Sequence, residues 1–119
     1  MTPPPFIPAR GEVWLINLDP TLGDEIRKQR PAVVMSRDAL GVLALRAVVP
    51  FTDWRDKFRI SDWLVRIDPS GANGLDKVSA ADTFQVRSVS VRRFVRHLGC
   101  LSAEEVERIA DGLKAVFDL

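Results

Sequence analysis

Residues 11–36, GEVWLINLDPTLGDEIRKQRPAVVMS, determine the fold, because their pattern predicts two apolar strands joined by a long loop. Trp14, Ile16 and Leu18 fall two residues apart in the first strand, and apolar residues also occupy the positions between them. That pattern is typical of a largely buried strand. A second, shorter apolar run covers residues 31–35. The sequence therefore predicts a hairpin-like pair of strands at the start of the domain.

The connection between these strands, residues 19–30, is longer than chain reversal requires, since about two to five residues suffice for a hairpin. Loops held by rigid strands often carry function, so this loop is the first candidate site. Seven consecutive positions hold five charged side chains, which are Asp24, Glu25, Arg27, Lys28 and Arg30.

The rest of the chain predicts more short strands and one helix. Strands are expected over residues 41–50, ending at Pro50, which cannot donate to a sheet ladder, and over residues 60–67. One or two strands fall within residues 75–91, with a break near residues 80–82, and a helical turn is expected between residues 92 and 99. Short strands separated by proline and glycine favour a small barrel or a strongly curved sheet.

Residues 102–117 give the clearest helix. Ser102 and Glu105 have the spacing of a capping box, which predicts the helix start. Apolar residues recur at helical spacing on one face, which should lie against the sheet. These residues are Val106, Ile109, Ala110, Leu113 and Phe117.

The composition indicates one soluble, cytosolic domain. A chain of 119 residues with 46% hydrophobic content suits a single core, expected over residues 10–119 behind a flexible proline-rich leader at residues 1–9. A net charge of +1 excludes a surface that is basic throughout, but not a local basic patch. Cys100 and His97 are too few for an internal disulfide or a common zinc site, so structural roles are expected, with Cys100 buried. No apolar run is long enough to span a membrane.

Several short motifs occur in an order that resembles the MazF/PemK family of bacterial toxins, which are ribosome-independent mRNA endoribonucleases. GEVW, LDPT, G-x-E and R-P-A-V-V follow one another in residues 11–34, VVPFT occupies residues 48–52, and FQVRSVSVRRF occupies residues 84–94. LSAEE then opens the last helix. The likeness covers residue 10 to the end of the chain, and the motifs are specific as an ordered set.

The resemblance implies a mainly β (α+β) fold, an SH3-like curved sheet or barrel of the CcdB/MazF type with a C-terminal α-helix. It also implies cleavage of single-stranded mRNA at a short sequence, leaving a 2′,3′-cyclic phosphate and a 5′-hydroxyl. No metal or organic cofactor is expected. The implied protein partners are a second copy, giving a homodimer, and a cognate antitoxin that blocks activity.

Three residues are the catalytic candidates. Arg30, matched to the family's arginine before a proline, would stabilise charge on the phosphorane, and Thr52, matched to the P-x-T threonine, would donate to a phosphate oxygen. Glu25 either accepts the 2′-hydroxyl proton or pairs with neighbouring cations and orders the loop. Candidate RNA contacts are Lys28, Gln29, Asp53, Arg55, Lys57 and Gln85. Among them, the lysines and the arginine would follow the backbone and the glutamines would read base edges.

Two points stay open at this stage. Trp54 and Phe58, in the charged stretch 52–59, either stack on RNA bases or pack on the barrel. Some family members carry an arginine and an aspartate as acid and base on a later strand, but alignment on Gln85 places Asp82 and Phe84 there. The matching pair is therefore absent, more weight falls on Arg30, Thr52 and Glu25, and no role is assigned to Asp82.

Two other function classes share this fold. One is a non-catalytic toxin that binds DNA gyrase, and the other is an SH3-like RNA-binding module. The first needs neither Arg30 nor Thr52, so their presence favours the nuclease. Retention of RNA without cleavage would distinguish the second.

Overall fold

The computed structural model describes residues 7–18, 29–40 and 42–119, and within them the chain forms an antiparallel sheet of seven strands and one α-helix. The strand order is β4-β5-β3-β2-β1-β7, with β6 also paired to β3. The predicted class, mainly β with a C-terminal helix, is confirmed. The elements are β1 (Glu12–Asn17), β2 (Gln29–Val34), β3 (Leu45–Asp53), β4 (Leu64–Ile67), β5 (Ser79–Asp82), β6 (Arg87–Ser90), β7 (Phe94–Cys100) and α1 (Ala103–Phe117).

The sheet is apolar on both faces, as the first strand predicts. Trp14 and Ile16 of β1 lie in one buried cluster with Ala32 and Val34 of β2. Val13 belongs to the opposite face, in the cluster that α1 covers. Side chains alternate along a strand, so every second residue belongs to the same face of the sheet.

Helix α1 begins as predicted. The Ser102 hydroxyl accepts a hydrogen bond from the Glu105 N–H (3.1 Å), and the Glu105 carboxylate accepts one from the Ser102 N–H (2.9 Å), which completes the capping box. Ile109 is fully buried at the sheet. The prediction for Phe117 is wrong, since 57% of this residue is exposed. The helix rests mainly on β4 and on the 3-10 helix Thr83–Gln85, and its last turn has less to pack against.

The prediction that a strand ends at Pro50 is wrong, because β3 continues to Asp53. The main chain of Ala47 bonds toward β2, where its N–H donates to the Ser36 hydroxyl and its carbonyl accepts from the Met35 N–H. Alternate residues bond to opposite edges of a strand, so Pro50 faces the other edge, shared by β5 and β6. The 3-10 helix Thr83–Gln85 interrupts pairing at that edge, and the missing N–H therefore disrupts no ladder.

Other boundaries also differ from the sequence expectations. Strand β4 is shorter than predicted because Asp56–Ile60 forms a 3-10 helix. The break between β5 and β6 lies after Asp82 rather than at residues 80–82. The helical turn expected up to residue 99 stops at Val91–Arg93, because Phe94–Cys100 pairs with β1 as a strand.

Cys100 is exposed, so the prediction that it is buried is wrong. Its neighbour Leu101 turns into the core, and the alternation of side chains directs Cys100 outward. His97 packs edge-on against Trp14, with 5.1 Å between ring centroids. In the part of the chain that the structure describes, no helix has the length and hydropathy to cross a membrane.

Of the predicted flexible leader, residues 1–9, the structure describes residues 7–9. Pro8 is buried, and its carbonyl accepts a hydrogen bond from the buried Arg46 guanidinium at 2.9 Å. The Ala9 N–H donates to the Glu12 carboxylate at 2.8 Å. Residues 1–6 lie outside the described ranges.

Candidate active site

A cleft of about 330 Å³ opens where the pairing of β2 with β3 ends. The last paired residues are Ala32 and Pro50. Arg30 lies two residues before Ala32 and Thr52 two residues after Pro50, so both side chains belong to the same face of the sheet. The residues that line the cleft are Leu18, Arg30, Pro50, Phe51, Thr52, Asp82, Gln85 and Arg87.

Arg30 is held on a rigid element although its side chain is exposed. Its backbone pairs with Ile16 of β1, and Pro31 restricts the backbone that follows. Within the described ranges, no hydrogen bond or ion pair involves its guanidinium. A guanidinium so placed is available to bind two oxygens of a phosphate side by side.

Thr52 faces Arg30 from the neighbouring strand. Its backbone pairs with Ala80 of β5, beyond the point where β3 leaves β2, and its side chain is half-buried. A threonine hydroxyl both donates and accepts hydrogen bonds. The cleft therefore joins a cation and a hydroxyl that are 22 residues apart in the sequence.

Asp82 brings a carboxylate into the same cleft. Its Oδ1 accepts a hydrogen bond from the Phe84 N–H at 3.2 Å, which fixes the side chain at the end of β5. Burial raises the pKa of Asp82, while main-chain hydrogen bonds from Phe84 and Gln85 act in the opposite direction. A carboxylate with a raised pKa is a better proton acceptor than an ordinary surface aspartate.

Gln85 and Arg87 complete the polar lining. In the 3-10 helix Thr83–Gln85, residues three apart lie on the same side, so Asp82 and Gln85 both face the cleft. The Arg87 guanidinium donates to the Leu18 carbonyl at 3.0 Å, which holds its charge at the wall. Arg87 was not among the site residues predicted from the sequence, although the motif FQVRSVSVRRF contains it.

The other predicted site residues are spread around this cleft or lie outside the described ranges. Glu25 and Lys28 fall in residues 19–28, which the structure does not describe. Gln29 is exposed at the start of β2, opposite Asn17. Arg55 and Lys57 are exposed after β3 and are not among the residues that line the cleft.

Asp53 lines a neighbouring cavity of about 390 Å³, which shares Phe51 and Thr52 with the cleft. Its carboxylate pairs with the Lys77 ammonium at 2.9 Å, and both side chains are exposed. The role of Asp53 as an RNA contact stays a prediction, at a position just outside the cleft.

Trp54 and Phe58 pack on each other and belong to neither buried cluster of the sheet, so the two alternatives for these rings both stay predictions. Their centroids are 5.8 Å apart in an edge-to-face arrangement, and both residues are half-buried. The Arg66 guanidinium lies 5.9 Å from the centre of the Trp54 ring. The described residues contain no group of three histidine, cysteine or acidic side chains with the arrangement of a metal site.

Comparison with known proteins identifies relatives over nearly the whole chain. Residues 9–117 match the family described as PemK-like, MazF-like toxin of type II toxin-antitoxin system. Endoribonuclease MazF9 of Mycobacterium tuberculosis is 34% identical over 116 residues, covering 92% of this chain and 96% of the relative. Endoribonuclease PemK of Escherichia coli is 31% identical over 90 residues, covering 73% of this chain and 68% of the relative.

Solved structures show the same fold. MazF from Deinococcus radiodurans superposes with a TM-score of 0.75 at 24% identity, covering 96% of this chain and 99% of that one. A mycobacterial endoribonuclease solved in complex with its cognate antitoxin gives a TM-score of 0.74 at 20% identity, covering 94% of this chain and 96% of that one. By its family match and its curated relatives, the chain belongs to the PemK-like, MazF-like toxins of type II toxin-antitoxin systems.

Proposed function

We propose that this toxin is an endoribonuclease that cuts single-stranded RNA in the cleft of Arg30, Thr52 and Asp82. The observation that carries the proposal is the meeting of a free guanidinium, a hydroxyl and a partly buried carboxylate in one hollow. Relatives that are named endoribonucleases and match nearly the full chain support the reaction class.

The RNA supplies the nucleophile. Its 2′-hydroxyl oxygen attacks the adjacent phosphorus, the bond from phosphorus to the 5′-oxygen breaks, and the products carry a 2′,3′-cyclic phosphate and a 5′-hydroxyl. The 2′-hydroxyl proton passes to the Asp82 carboxylate, and the departing 5′-oxygen takes a proton from water. The hydroxide that remains takes the proton from Asp82, which restores the carboxylate. Raising the pKa of Asp82 toward the working pH strengthens the carboxylate as a base.

Negative charge that develops on the phosphorane is stabilised by donors already in place. The Arg30 guanidinium binds two nonbridging oxygens, and the Thr52 hydroxyl donates to one of them. Arg87 adds positive charge at the cleft wall. With these cations supplying the charge, the proposed mechanism needs no metal ion.

Glu25 stays a prediction as an alternative proton acceptor. It belongs to the same predicted loop as Arg30 but lies outside the described residues. The general base can be assigned from the pH dependence of the cleavage rates of Asp82→Asn and Glu25→Gln. The variant whose rate no longer rises with pH on the acidic side has lost the base.

The test is cleavage of a long single-stranded RNA in EDTA. We expect discrete fragments with 2′,3′-cyclic phosphate and 5′-hydroxyl ends from the wild type, and a rate lower by about 10²–10³ for Arg30→Ala. Arg37→Ala is the matched control, because Arg37 is also exposed but lies beyond the opposite end of β2. A 2′-deoxy substitution at a mapped cut site should abolish that cut.

Other results would contradict the proposal. Binding of RNA without cleavage would favour an RNA-binding module, and inhibition of DNA gyrase without any action on RNA would favour a gyrase toxin. Equal cutting by Arg30→Ala and the wild type would remove the cleft from the mechanism.

We also propose that a cognate antitoxin covers this basic cleft. A disordered acidic segment that folds on binding suits a groove with Arg30 and Arg87 at its wall. The antitoxin complex of the mycobacterial neighbour supports a partner of this kind. A cognate antitoxin should stop cleavage and protect the cleft residues from hydrogen exchange.

A further inference from the structure

Two exposed aromatic rings have no part in the proposed chemistry, and one of them, Phe84, adjoins the cleft residue Gln85 in the chain. Phe84 is 67% exposed and Trp63 is 37% exposed. Their centroids are 6.4 Å apart and their planes are inclined by 70°, an edge-to-face arrangement. Scattered exposed apolar residues are ordinary, whereas an exposed ring pair at the edge of a cleft is a feature of binding sites.

The position of Phe84 relative to the cleft follows from the geometry of the 3-10 helix. Asp82 and Gln85 are three residues apart, so they share one side and both line the cleft. Phe84 lies between them and is turned by about 120° from Gln85, since this helix has three residues per turn. Its ring is therefore not part of the cleft lining, but its backbone lies between two residues that are.

The aromatic pair is held firmly by its backbone. The Trp63 carbonyl accepts hydrogen bonds from the Thr83 N–H (3.1 Å) and the Thr83 hydroxyl (2.7 Å). Thr83 is fully buried, and its side chain lies against the glycine face of α1 at Gly112. Exposed rings on a fixed support lose little freedom when they bind a ligand.

We propose that Phe84, supported by Trp63, is a stacking platform for one unpaired RNA base next to the scissile phosphate. Single-stranded RNA is recognised by stacking of splayed bases on aromatic rings while cations hold the backbone. Arg30 and Arg87 supply those cations in the adjoining cleft. The position of Phe84 between two cleft-lining residues, Asp82 and Gln85, favours a nucleotide over a protein segment as its occupant.

This inference rests on the proposed function and names a residue that binds its substrate. Phe84 has no polar group, so it senses the presence and size of a base rather than its hydrogen-bonding edge. The platform therefore favours a purine at one position beside the cut site and reads no further identity there.

The experiment combines Phe84→Ala with removal of single bases from the substrate. A short RNA with one mapped cut site is made intact and with an abasic residue at each flanking position in turn. We expect the wild type to lose about tenfold in kcat/KM when the base is missing at one flanking position. Phe84→Ala should lose about the same on intact RNA and be insensitive to base removal at that position, whereas Phe84→Trp should resemble the wild type.

A binding measurement separates this proposal from the nuclease proposal. A noncleavable oligonucleotide, 2′-deoxy at the cut site, carries 2-aminopurine at the flanking position, whose fluorescence is quenched on stacking. Quenching by the wild type and not by Phe84→Ala supports the platform even if no RNA is cut, which would contradict only the proposed function. Leu119→Ala is the control for loss of an exposed apolar side chain elsewhere, since Leu119 is 89% exposed after α1.

Two results would overturn the platform. One is that base removal at every position lowers kcat/KM equally for Phe84→Ala and the wild type, and that both proteins quench 2-aminopurine equally. The other is a Phe84→Ala protein that cleaves and binds RNA like the wild type but loses self-association or antitoxin binding. That result would assign the ring pair to a protein interface. Thermal unfolding of both variants checks that the fold is retained.

Discussion

Asp82 combines a cost in stability with the catalytic role proposed for it. Burial in the cleft raises its pKa above the ordinary carboxyl value. The native state therefore binds more protons than the unfolded state between the two pKa values, and stability falls as pH rises through that window. A carboxylate kept where its charge is disfavoured is typical of a site that uses it.

The first prediction is that Asp82→Asn lowers activity without lowering stability. The asparagine Oδ1 can still accept the Phe84 N–H, and the desolvated charge is gone. Melting temperatures measured from about pH 3 to about pH 8 should coincide at the acidic end, and the variant should be equal or higher above the window. The cleavage rate should fall by about 10²-fold or more.

The pH–rate profile is the companion readout. Wild-type cleavage should rise through the raised pKa of Asp82 as the carboxylate loses its proton, and the rise should be absent in Asp82→Asn. A variant that melts lower at neutral pH while cutting normally would show that Asp82 has a structural role only.

At the residue scale, short sequence motifs predicted cleft residues that the amino-acid composition alone does not indicate. Arg30 and Thr52 were selected because each matches a short motif, and the structure brings both into one cleft. Arg87 was missed, since an arginine in an alternating strand looks like a solvated surface residue until the neighbouring strand is known. Cys100 was placed inside because free cysteines are usually buried, but the register with β1 turns it outward.

At the scale of elements, two glycines let the loop before β5 approach β7 closely. Gly74 has a φ of +70°, and a Cβ built there would lie 2.1 Å from the Leu98 carbonyl oxygen. A Cβ on Gly99 would meet the Ala72 carbonyl oxygen at 2.3 Å. Both contacts are with backbone, so no side-chain rotation can relieve them.

The second prediction compares Gly74→Ala with Gly71→Ala. Gly74→Ala combines a left-handed backbone with a backbone clash, and the free energy of unfolding should fall by about 2 kcal/mol or more. Gly71→Ala should change it by less than about 0.5 kcal/mol, because nothing lies within 4 Å of the added Cβ. Urea unfolding measures both, and equal effects would contradict the close approach.

The third prediction concerns the start of α1. Ser102→Ala removes the hydroxyl that caps the Glu105 N–H, so the free energy of unfolding should fall by about 1 kcal/mol. The cleavage rate of the folded protein should not change, because the capping box is not part of the cleft. An unchanged midpoint in urea would show that the cap contributes nothing.

Local pattern predicted the helix and the first strands well but not the path of β3. Pro50 looked like a strand end, and only the pairing of three strands shows that its missing N–H faces a gap made by Thr83–Gln85. The strand Phe94–Cys100 was read as a turn because its residues do not alternate cleanly. It is an edge strand with shifts in its register to β1, which explains the irregular pattern.

At the scale of the whole molecule, the two faces of one curved sheet differ in role: one holds the larger core, and the other leads to the cleft. Its helix-covered face, with Val13 and Ile109, holds the larger core. The opposite face continues from Trp14 and Ile16 toward the cleft. Four strands and the 3-10 helix Thr83–Gln85 thus hold the polar residues of the cleft, which is the positioning that an in-line reaction requires.

The fourth prediction is that the toxin is a homodimer. Exposed apolar side chains gather just before and at the start of β3, where Val42, Leu43 and Leu45 are each at least half exposed. Apolar groups clustered at a surface favour association. Light scattering should give about twice the chain mass of 13.3 kDa. A mass of one chain at micromolar concentration would contradict it.

The central claim is that Arg30 and Thr52 act on the same phosphate in one cleft. A double-mutant cycle with Arg30→Ala, Thr52→Ala and the combined variant, measured as single-turnover cleavage of one RNA, tests it most directly. Because the two groups stabilise one transition state, we predict that the double variant loses far less than the product of the two single losses. Losses that multiply independently, or a single variant that cuts at the wild-type rate, would contradict the claim.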